Sequence, residues 1–224
     1  MPRVTTFSDC SVLKKVYKLL IVILIALCTG MAWAGAYDDI IAGANNGETA
    51  TVMTLIRRGM DVNTADSTGN TLLMLAVRDG HMALMEALLV NRANVHRRNQ
   101  FGDTALMLGA LKAKPETVRR LIDVGAEPNV DGWTPLHYAI FGGSKEVIAL
   151  LIAKGAKLDA RAPNGQTPLM LAVKLGGLGL VQQLVDADAD MDLPDYDGLS
   201  PLGLAVKLGH DDIAAYLRAE GADE

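Results

Sequence analysis

Cysteine is scarce in this chain of 224 residues, and its placement limits the available chemistry. The two cysteines, Cys10 and Cys28, both lie among the first 34 residues. Residues 35–224 therefore contain no disulfide and no thiol nucleophile, whatever the redox state of their compartment. Aromatic residues make up only 4% of the chain, but half of all residues are hydrophobic. Stability must therefore come from packing, and this composition is sufficient for one continuous core.

An excess of positive charge is also absent. Without the four basic residues and one acidic residue of 1–34, the totals of 21 basic and 26 acidic residues fall to 17 and 25, a net charge of −8. The imbalance lies in residues 131–224, which carry 7 basic and 14 acidic residues. Such a surface repels nucleic acid and anionic headgroups, and it favours a partner that presents a basic surface to the C-terminal end.

The amino-terminal segment lacks the length of an ordinary membrane span. Its uncharged apolar run, 19–34, has 16 residues, whereas a spanning helix needs about 20. Four basic residues precede this run, and an A-x-A sequence ends it at 32–34. This order predicts a cleavable signal peptide over 1–34 and export to the periplasm. An uncleaved inner-membrane anchor is the alternative, and lipid attachment at Cys28 is disfavoured by the bulky Leu27 before it.

The residue groupings that mark an enzyme or a transition-metal site are missing. No two histidines have the i, i+4 spacing of a metal-binding helix, and no serine or cysteine nucleophile is accompanied by a base. Residues 142–145 (GGSK) do not have the order of a phosphate-binding loop. We therefore expect no catalytic residue, no bound metal and no cofactor.

A run of aspartates leaves weak calcium binding as an alternative. Asp186, Asp188 and Asp190 have D-x-D-x-D spacing, and Asp197 is the twelfth residue counted from Asp186. Position six of this loop is Met191 where calcium loops need glycine, and position twelve is aspartate where they use a bidentate glutamate. The repeat register described next gives a second interpretation, in which these residues form an ordinary inter-repeat loop.

What the sequence does contain is a six-residue motif that occurs five times. The five copies are TLLMLA at 71–76, TALMLG at 104–109, TPLHYA at 134–139, TPLMLA at 167–172 and SPLGLA at 200–205. A glycine lies two residues before each copy, at intervals of 33, 30, 33 and 33 residues. A second landmark, at Gly59, Arg92, Gly125, Gly155, Asp188 and Gly221, has intervals of 33, 33, 30, 33 and 33. The three missing residues thus fall between Gly125 and Gly132, so one loop is shortened and no helix is.

Each motif position has a physical explanation. The leading Thr or Ser predicts an N-cap whose hydroxyl accepts a hydrogen bond from a free backbone N–H, a contact worth about 1 kcal/mol. Proline at 135, 168 and 201 suits the first position of a helix. The glycines of the second landmark predict the left-handed residue that ends a helix. Asp188 tolerates that conformation, and Arg92 is expected to adopt it under strain.

The pattern T-P-L-H-x-A, matched at 134–139, is the signature of the ankyrin repeat. The chain therefore resembles the ankyrin-repeat family and, with its amino-terminal segment, small exported bacterial ankyrin-repeat proteins. This resemblance implies an all-α fold, a solenoid of six helix-turn-helix repeats with short hairpin loops over residues 35–224. The expected repeats are 36–64, which lacks the motif and serves as a cap, then 65–97, 98–130, 131–160, 161–192 and 193–224.

The resemblance also implies a function without catalysis. Ankyrin proteins bind other proteins through the hairpin tips and the concave side of the first helices. The residues expected to contact a partner are Arg98, Gln100, Phe101, Trp133, Phe141, Lys174, Leu175 and Tyr196. Some exported bacterial members support oxidative-stress enzymes in the periplasm, and by analogy with them we expect a monomeric adaptor or scaffold for such an enzyme. If the signal segment stays uncleaved, the same domain becomes a scaffold tethered to the inner membrane.

The role of Trp133 stays open at this stage. Its place beside the shortened loop, with Phe101 and Phe141 nearby in the repeat register, suits an exposed hot spot for binding. The alternative is that Trp133 folds over the truncated hairpin and that Phe141 packs at a helix end.

Overall fold

The computed structural model describes residues 35–223, so the predicted signal peptide lies outside the described residues. Within this range the chain forms twelve helices and no strand, with one isolated bridge between Ala65 and Thr71. The all-α prediction is confirmed. In chain order the helices are α1 (35–45), α2 (Thr49–Arg57), α3 (Leu72–Asp79), α4 (Met82–Val90), α5 (Ala105–Leu111), α6 (Pro115–Asp123), α7 (Pro135–Gly142), α8 (Lys145–Ala153), α9 (Pro168–Lys174), α10 (Leu178–Val185), α11 (Pro201–Leu208) and α12 (Asp211–Ala219).

The helices form six consecutive pairs that stack in chain order. The first helices α3, α5, α7, α9 and α11 each contact the next, and the second helices contact one another in a parallel layer. Between the second helices, Arg120 of α6 binds Glu86 of α4 at 2.8 Å, and Gln183 of α10 donates to the Lys145 carbonyl of α8 at 2.8 Å. At the amino end, Arg78 of α3 donates to the Asn45 side chain of α1 at 3.0 Å.

One hydrophobic core runs through the whole stack. It begins at Ile40 in α1, ends at Leu217 in α12, and includes buried side chains from every pair between them. All six residues 72–77 of α3 are buried, because α4 packs against one side of the helix and α5 against another. None of the helices between residues 35 and 223 has the length and apolar composition needed to cross a membrane.

Every first helix that carries the motif begins at its predicted cap. Thr71, Thr104, Thr134, Thr167 and Ser200 each accept a hydrogen bond from the N–H of the third helical residue. In three cases the third residue also binds back to the cap N–H. His137 does so through Nδ1 at 3.2 Å, and Met74 and Met107 do so through Sδ at 3.4 and 3.2 Å. A thioether therefore replaces the imidazole of the motif as the acceptor.

Buried His137 is held as a neutral side chain. It has no exposed surface, and its Nε2 lies 3.3 Å from the Gln166 carbonyl in the next hairpin. Burial lowers the pKa of His137 to about 4, although the Gln166 carbonyl raises it. The histidine thus has a structural role, in which it joins α7 to the following repeat.

Left-handed residues end the helices, as predicted for the second landmark. Gly59, Gly125, Gly155 and Gly221 all have positive φ, as do Arg92 at 63° and Asp188 at 69°. The end of the first helix shows the same conformation, at Gly80, Gly143, Gly176 and Gly209. Ala113 occupies this position in the third repeat with φ of 54°. Ala113 was not predicted to be left-handed, because a residue with a Cβ adopts this conformation at a cost of about 1–2 kcal/mol.

Side chains in the loops after the second helices link successive repeats. In each link an Asn or Asp oxygen accepts the backbone N–H of the corresponding loop one repeat later, at 2.7–3.0 Å. The pairs are Asn63 with Asn94, Asn129 with Lys157, Asp159 with Asp190, and Asp192 with Asp223. This series, which we call the loop ladder, satisfies backbone groups along one edge of the stack.

The strain at Ala113 leads to the first prediction. Ala113→Gly should stabilise the protein by about 1 kcal/mol, because the gain from removing left-handed strain exceeds the entropy that glycine adds to the unfolded chain. Gly143→Ala tests the same position one repeat later, where an added Cβ has no atom within 4 Å. It should destabilise by a similar amount. Urea unfolding of both variants checks this, and equal midpoints for the two would contradict it.

The burial of His137 leads to the second prediction. The pKa of His137 is about 6.5 in the unfolded chain and about 4 in the folded protein. Between these pH values His137 binds a proton in the unfolded chain but stays neutral in the folded protein. The stability from neutral His137 is therefore complete above pH 6.5 and is lost as the pH falls through this window, by up to about 1.4 kcal/mol per pH unit.

His137→Met is the matched variant, because methionine already fills this position in three other repeats, as Met74, Met107 and Met170. Unfolding free energies measured at pH 7, 6 and 5 should fall less steeply for His137→Met than for the wild type. Parallel profiles would show that His137 does not bear the pH dependence.

Candidate functional site

Three of the hairpin tips are held in shape by a side chain at their base. The Asn99 Oδ1 accepts the N–H groups of Phe101 and Asp103, both at 2.9 Å. Asp195 makes the same pair of bonds to Asp197 at 2.9 Å and Leu199 at 3.0 Å. The backbone of these tips is therefore fixed, while the side chains of Phe101 and Tyr196 stay 75% and 68% exposed.

Asp66 plays the corresponding part in the second repeat. Burial raises the pKa of Asp66, but hydrogen bonds from Thr68 and Asn70 together outweigh it, so the net pKa lies below the usual value. Its carboxylate accepts the backbone N–H groups of both residues at 2.9 Å.

Neighbouring tips are also tied to one another. Gln100 donates to the Ser67 carbonyl of the preceding tip at 2.8 Å, and Arg161 donates to the Pro194 carbonyl of the following one at 2.6 Å. The Arg161 guanidinium also lies 5.9 Å from the centre of the Tyr196 ring. Arg98 donates within its own hairpin, to the Gly102 carbonyl at 3.5 Å. Bonds of this kind join the second tip to the third and the fifth tip to the sixth, and the predicted contact residues Gln100 and Arg98 already have internal partners.

The last turns of the first helices supply a second row of side chains. We call the residues at the seventh and eighth positions after the cap the helix-end row, and in the structure they are exposed or half-buried. The row consists of Arg78 and Asp79, Leu111 and Lys112, Phe141 and Gly142, Lys174 and Leu175, and Lys207 and Leu208. Leu111 and Leu208, exposed by 38% and 44%, were not among the predicted contacts. The repeat register would have found them, because they correspond to Phe141 and Leu175.

Charge in the helix-end row is unevenly paired. At the amino end, Arg78 binds Asp79 at 2.6 Å. This hydrogen bond raises the pKa of Arg78 and lowers the pKa of Asp79, although burial opposes both changes. In contrast, Lys112, Lys174 and Lys207 are exposed, and no carboxylate of residues 35–223 forms an ion pair with them.

The aromatic residues of α7 and its cap lie together. Trp133, His137 and Phe141 are each four residues apart and share one side of the helix. The Trp133 ring centre lies 5.2 Å from that of His137, edge to face, and 5.7 Å from that of Phe141. Trp133 is half-buried against the core, whereas Phe141 is 48% exposed. Trp133 therefore packs over the buried histidine and also borders the exposed Phe141.

Tyr138 adds a polar link between repeats at the same place. Its hydroxyl donates to the Asp103 carboxylate at the foot of the preceding hairpin. Burial raises the pKa of Tyr138, and the Asp103 hydrogen bond and negative charge raise it further. Tyr138 was not predicted as a site residue. The signal was present, because the equivalent position is leucine at 75, 108, 171 and 204.

The ends of α5 and α7 approach each other closely. A Cβ at Gly142 would lie 2.6 Å from the Leu111 carbonyl oxygen, a separation that only glycine permits. Leu111 and Phe141 are both the seventh residue after the cap of their helix, and this contact brings the ends of the two helices together. Together with Trp133 and Tyr138 they form a mainly apolar surface that we call the α5–α7 patch.

Several aspartates in the segment considered for calcium, residues 186–197, have other partners. Asp192 and Asp195 accept backbone N–H groups in the loop ladder and in a hairpin tip. The N–H of Asp190 is held by Asp159. Across residues 35–223 no three acidic, histidine or cysteine side chains are arranged to hold a metal ion. The loop interpretation of this segment therefore accounts for these contacts.

Comparison with known proteins identifies the repeats. The family described as "Ankyrin repeats (3 copies)" matches residues 73–162 and 158–224. The human Notch-regulated ankyrin repeat-containing protein is 37% identical over 86 residues, which cover 35% of this chain and 75% of that protein. A Rickettsia bellii ankyrin repeat protein is 33% identical over 119 residues, covering 49% of this chain and 34% of that protein.

A Caenorhabditis elegans homolog of the transient receptor potential cation channel subfamily A member 1 is 37% identical over 103 residues. That match covers 45% of this chain but only 8% of the channel. The chain thus spans only a small part of the length of the first relatives it matches.

Solved structures agree with the family match. The ankyrin repeat domain of human ASB11 has a TM-score of 0.73 at 27% identity, covering 82% of this chain and 84% of that one. The ankyrin repeat domain of Bcl-3 has the same score and identity, with coverage of 83% and 86%. Since the family match extends over more than half of the sequence, and the helices stack as in these domains, the chain belongs to the ankyrin-repeat family.

Proposed function

We propose that residues 35–223 bind another protein through the α5–α7 patch, the helix-end row and the hairpin tips. Ankyrin-repeat domains are typically protein-interaction modules and generally have no catalytic role. The observation that carries the proposal is the α5–α7 patch, where Leu111 and Phe141 stay exposed beside half-buried Trp133 and Tyr138. Large apolar and aromatic side chains that meet at one exposed place have the composition of an interface hot spot.

Rigidity of the surrounding surface supports the same function. The tips are fixed by internal hydrogen bonds at Asn99 and Asp195, and neighbouring tips are joined through Gln100 and Arg161. A preformed surface loses little conformational freedom on docking, so more of the contact energy appears as affinity. The domain therefore suits an adaptor or scaffold that holds a partner in a fixed position.

We also propose that the protein acts in the periplasm after export, in support of a stress-response enzyme. The support for export is the order of basic residues, apolar run and A-x-A sequence in residues 1–34. N-terminal sequencing of the exported protein should begin at Gly35. A full-length chain that resists carbonate washing of membranes would favour the tethered scaffold instead.

The binding proposal predicts that Phe141→Ser removes partner capture from a periplasmic extract with little loss of stability, because Phe141 is 48% exposed. Val90→Ser is the matched control, since Val90 is 76% exposed on the second helix α4, away from the patch. Proteins retained by the wild type and by Val90→Ser but lost from Phe141→Ser are the expected partners. Identical capture by all three would refute the assignment of the patch.

Trp133→Ser separates the two roles of the indole. Because Trp133 covers His137, this variant should lose both capture and thermal stability, whereas Phe141→Ser should lose capture alone. A lower melting temperature of Trp133→Ser with capture intact would assign Trp133 to packing only.

A further inference from the structure

Cationic side chains flank the α5–α7 patch along the helix-end row. Lys112 follows Leu111 at the end of α5, and Lys174 lies one repeat beyond Phe141 at the end of α9. Lys207 occupies the same position in the last repeat. All three are exposed, and no carboxylate within residues 35–223 forms an ion pair with them.

Carboxylates near this row have other partners. Asp79 is bound by Arg78, and although the charge of Lys112 also lowers the pKa of Asp79, the two form no ion pair. Asp103 accepts the Tyr138 hydroxyl. Glu116, Glu146, and the pair Asp211 and Asp212 lie in the first turns of the second helices α6, α8 and α12, where a negative charge stabilises the helix amino terminus. Exposed Asp131 and Asp197 lie at the hairpins and not in the row. The row is thus basic and apolar, although the domain as a whole is acidic.

We propose that the partner binds the helix-end row through an acidic segment that carries apolar anchors. This inference rests on the proposed function and adds the chemistry of the partner. The apolar anchors would contact Leu111 and Phe141, and carboxylates on either side would pair with Lys112 and Lys174. Charge complementarity at the rim of an interface selects the partner and speeds association, while the buried apolar contacts supply most of the affinity.

Neighbouring helices pack with their axes about 8–10 Å apart. Successive contacts along the row therefore recur at roughly that interval. Lys112 and Lys174 lie two first helices apart, in the third and fifth repeats, so their carboxylate partners would be roughly 16–20 Å apart with an apolar anchor between them. The basic partner surface expected from the overall charge concerns a different place, the aspartate-rich loops at 186–197.

Selection from a displayed library of random 16-residue peptides tests this chemistry. Peptides retained by residues 35–224 and not by Phe141→Ser should combine apolar residues with an excess of Asp and Glu. Their affinity should weaken at least about tenfold between 50 and 500 mM salt, because rim charges are screened.

Charge variants then test the two lysines. The double variant Lys112→Glu and Lys174→Glu should bind the selected peptides at least about tenfold more weakly than the wild type. The double variant Lys112→Gln and Lys174→Gln removes the charges without reversing them, so it should weaken binding about half as much on a logarithmic scale. The matched control is Arg119→Glu with Lys157→Glu, which changes the net charge equally at exposed positions away from the row. It should bind within about twofold of the wild type. Circular dichroism confirms that each variant is folded.

The outcomes separate the two proposals. Selected peptides that are neutral or basic, or that bind the Lys112 and Lys174 variants as tightly as the wild type, overturn the acidic-partner inference and leave the binding function in place. If the wild type retains no peptides beyond those retained by Phe141→Ser, the α5–α7 patch is not a binding surface, and both proposals fall.

Discussion

Mutual burial between neighbouring repeats is the constraint on which this structure depends. Helices of seven to nine residues are too short to be stable alone in water. They persist here because first helices such as α5, α7 and α9 are covered by their own second helices and by the first helices on both sides. The core is consequently one continuous layer from Ile40 to Leu217.

The start of each first helix shows how one structural problem is solved with different atoms. A buried cap N–H needs an acceptor, and His137 supplies an imidazole nitrogen where Met74 and Met107 supply a thioether sulfur. Sulfur is the weaker acceptor, but it is neutral at every pH and loses little on burial. The imidazole also reaches the Gln166 carbonyl of the next hairpin, so the fourth repeat gains a contact that the methionine repeats lack.

Much of the fold could be predicted because repetition turns one recognisable motif into a register. The caps at Thr and Ser, the prolines at first helical positions and the left-handed glycines all follow from residue type and position. Ala113 could not be assigned the left-handed conformation from its own identity, because only the glycines at the equivalent positions reveal it.

The candidate site was predictable in part. The register identified Phe141 and Leu175, and the same reasoning extends to Leu111 and Leu208. The combined role of Trp133 could not be resolved from sequence, because it depends on how far the indole lies over His137. The link between Tyr138 and Asp103 joins residues 35 positions apart and depends on side-chain reach, which a linear pattern does not contain.

The shortened loop before α7 shows that hairpin length and helix packing vary independently. Three residues are missing between Gly125 and Gly132, yet α6 and α7 keep nine and eight residues, and the core passes through this point unbroken. Insertions and deletions at the tips can therefore alter the length of individual hairpins while the hydrophobic core is preserved. Divergence of such a domain toward new partners can proceed by trimming or extending its loops, without a new fold having to arise.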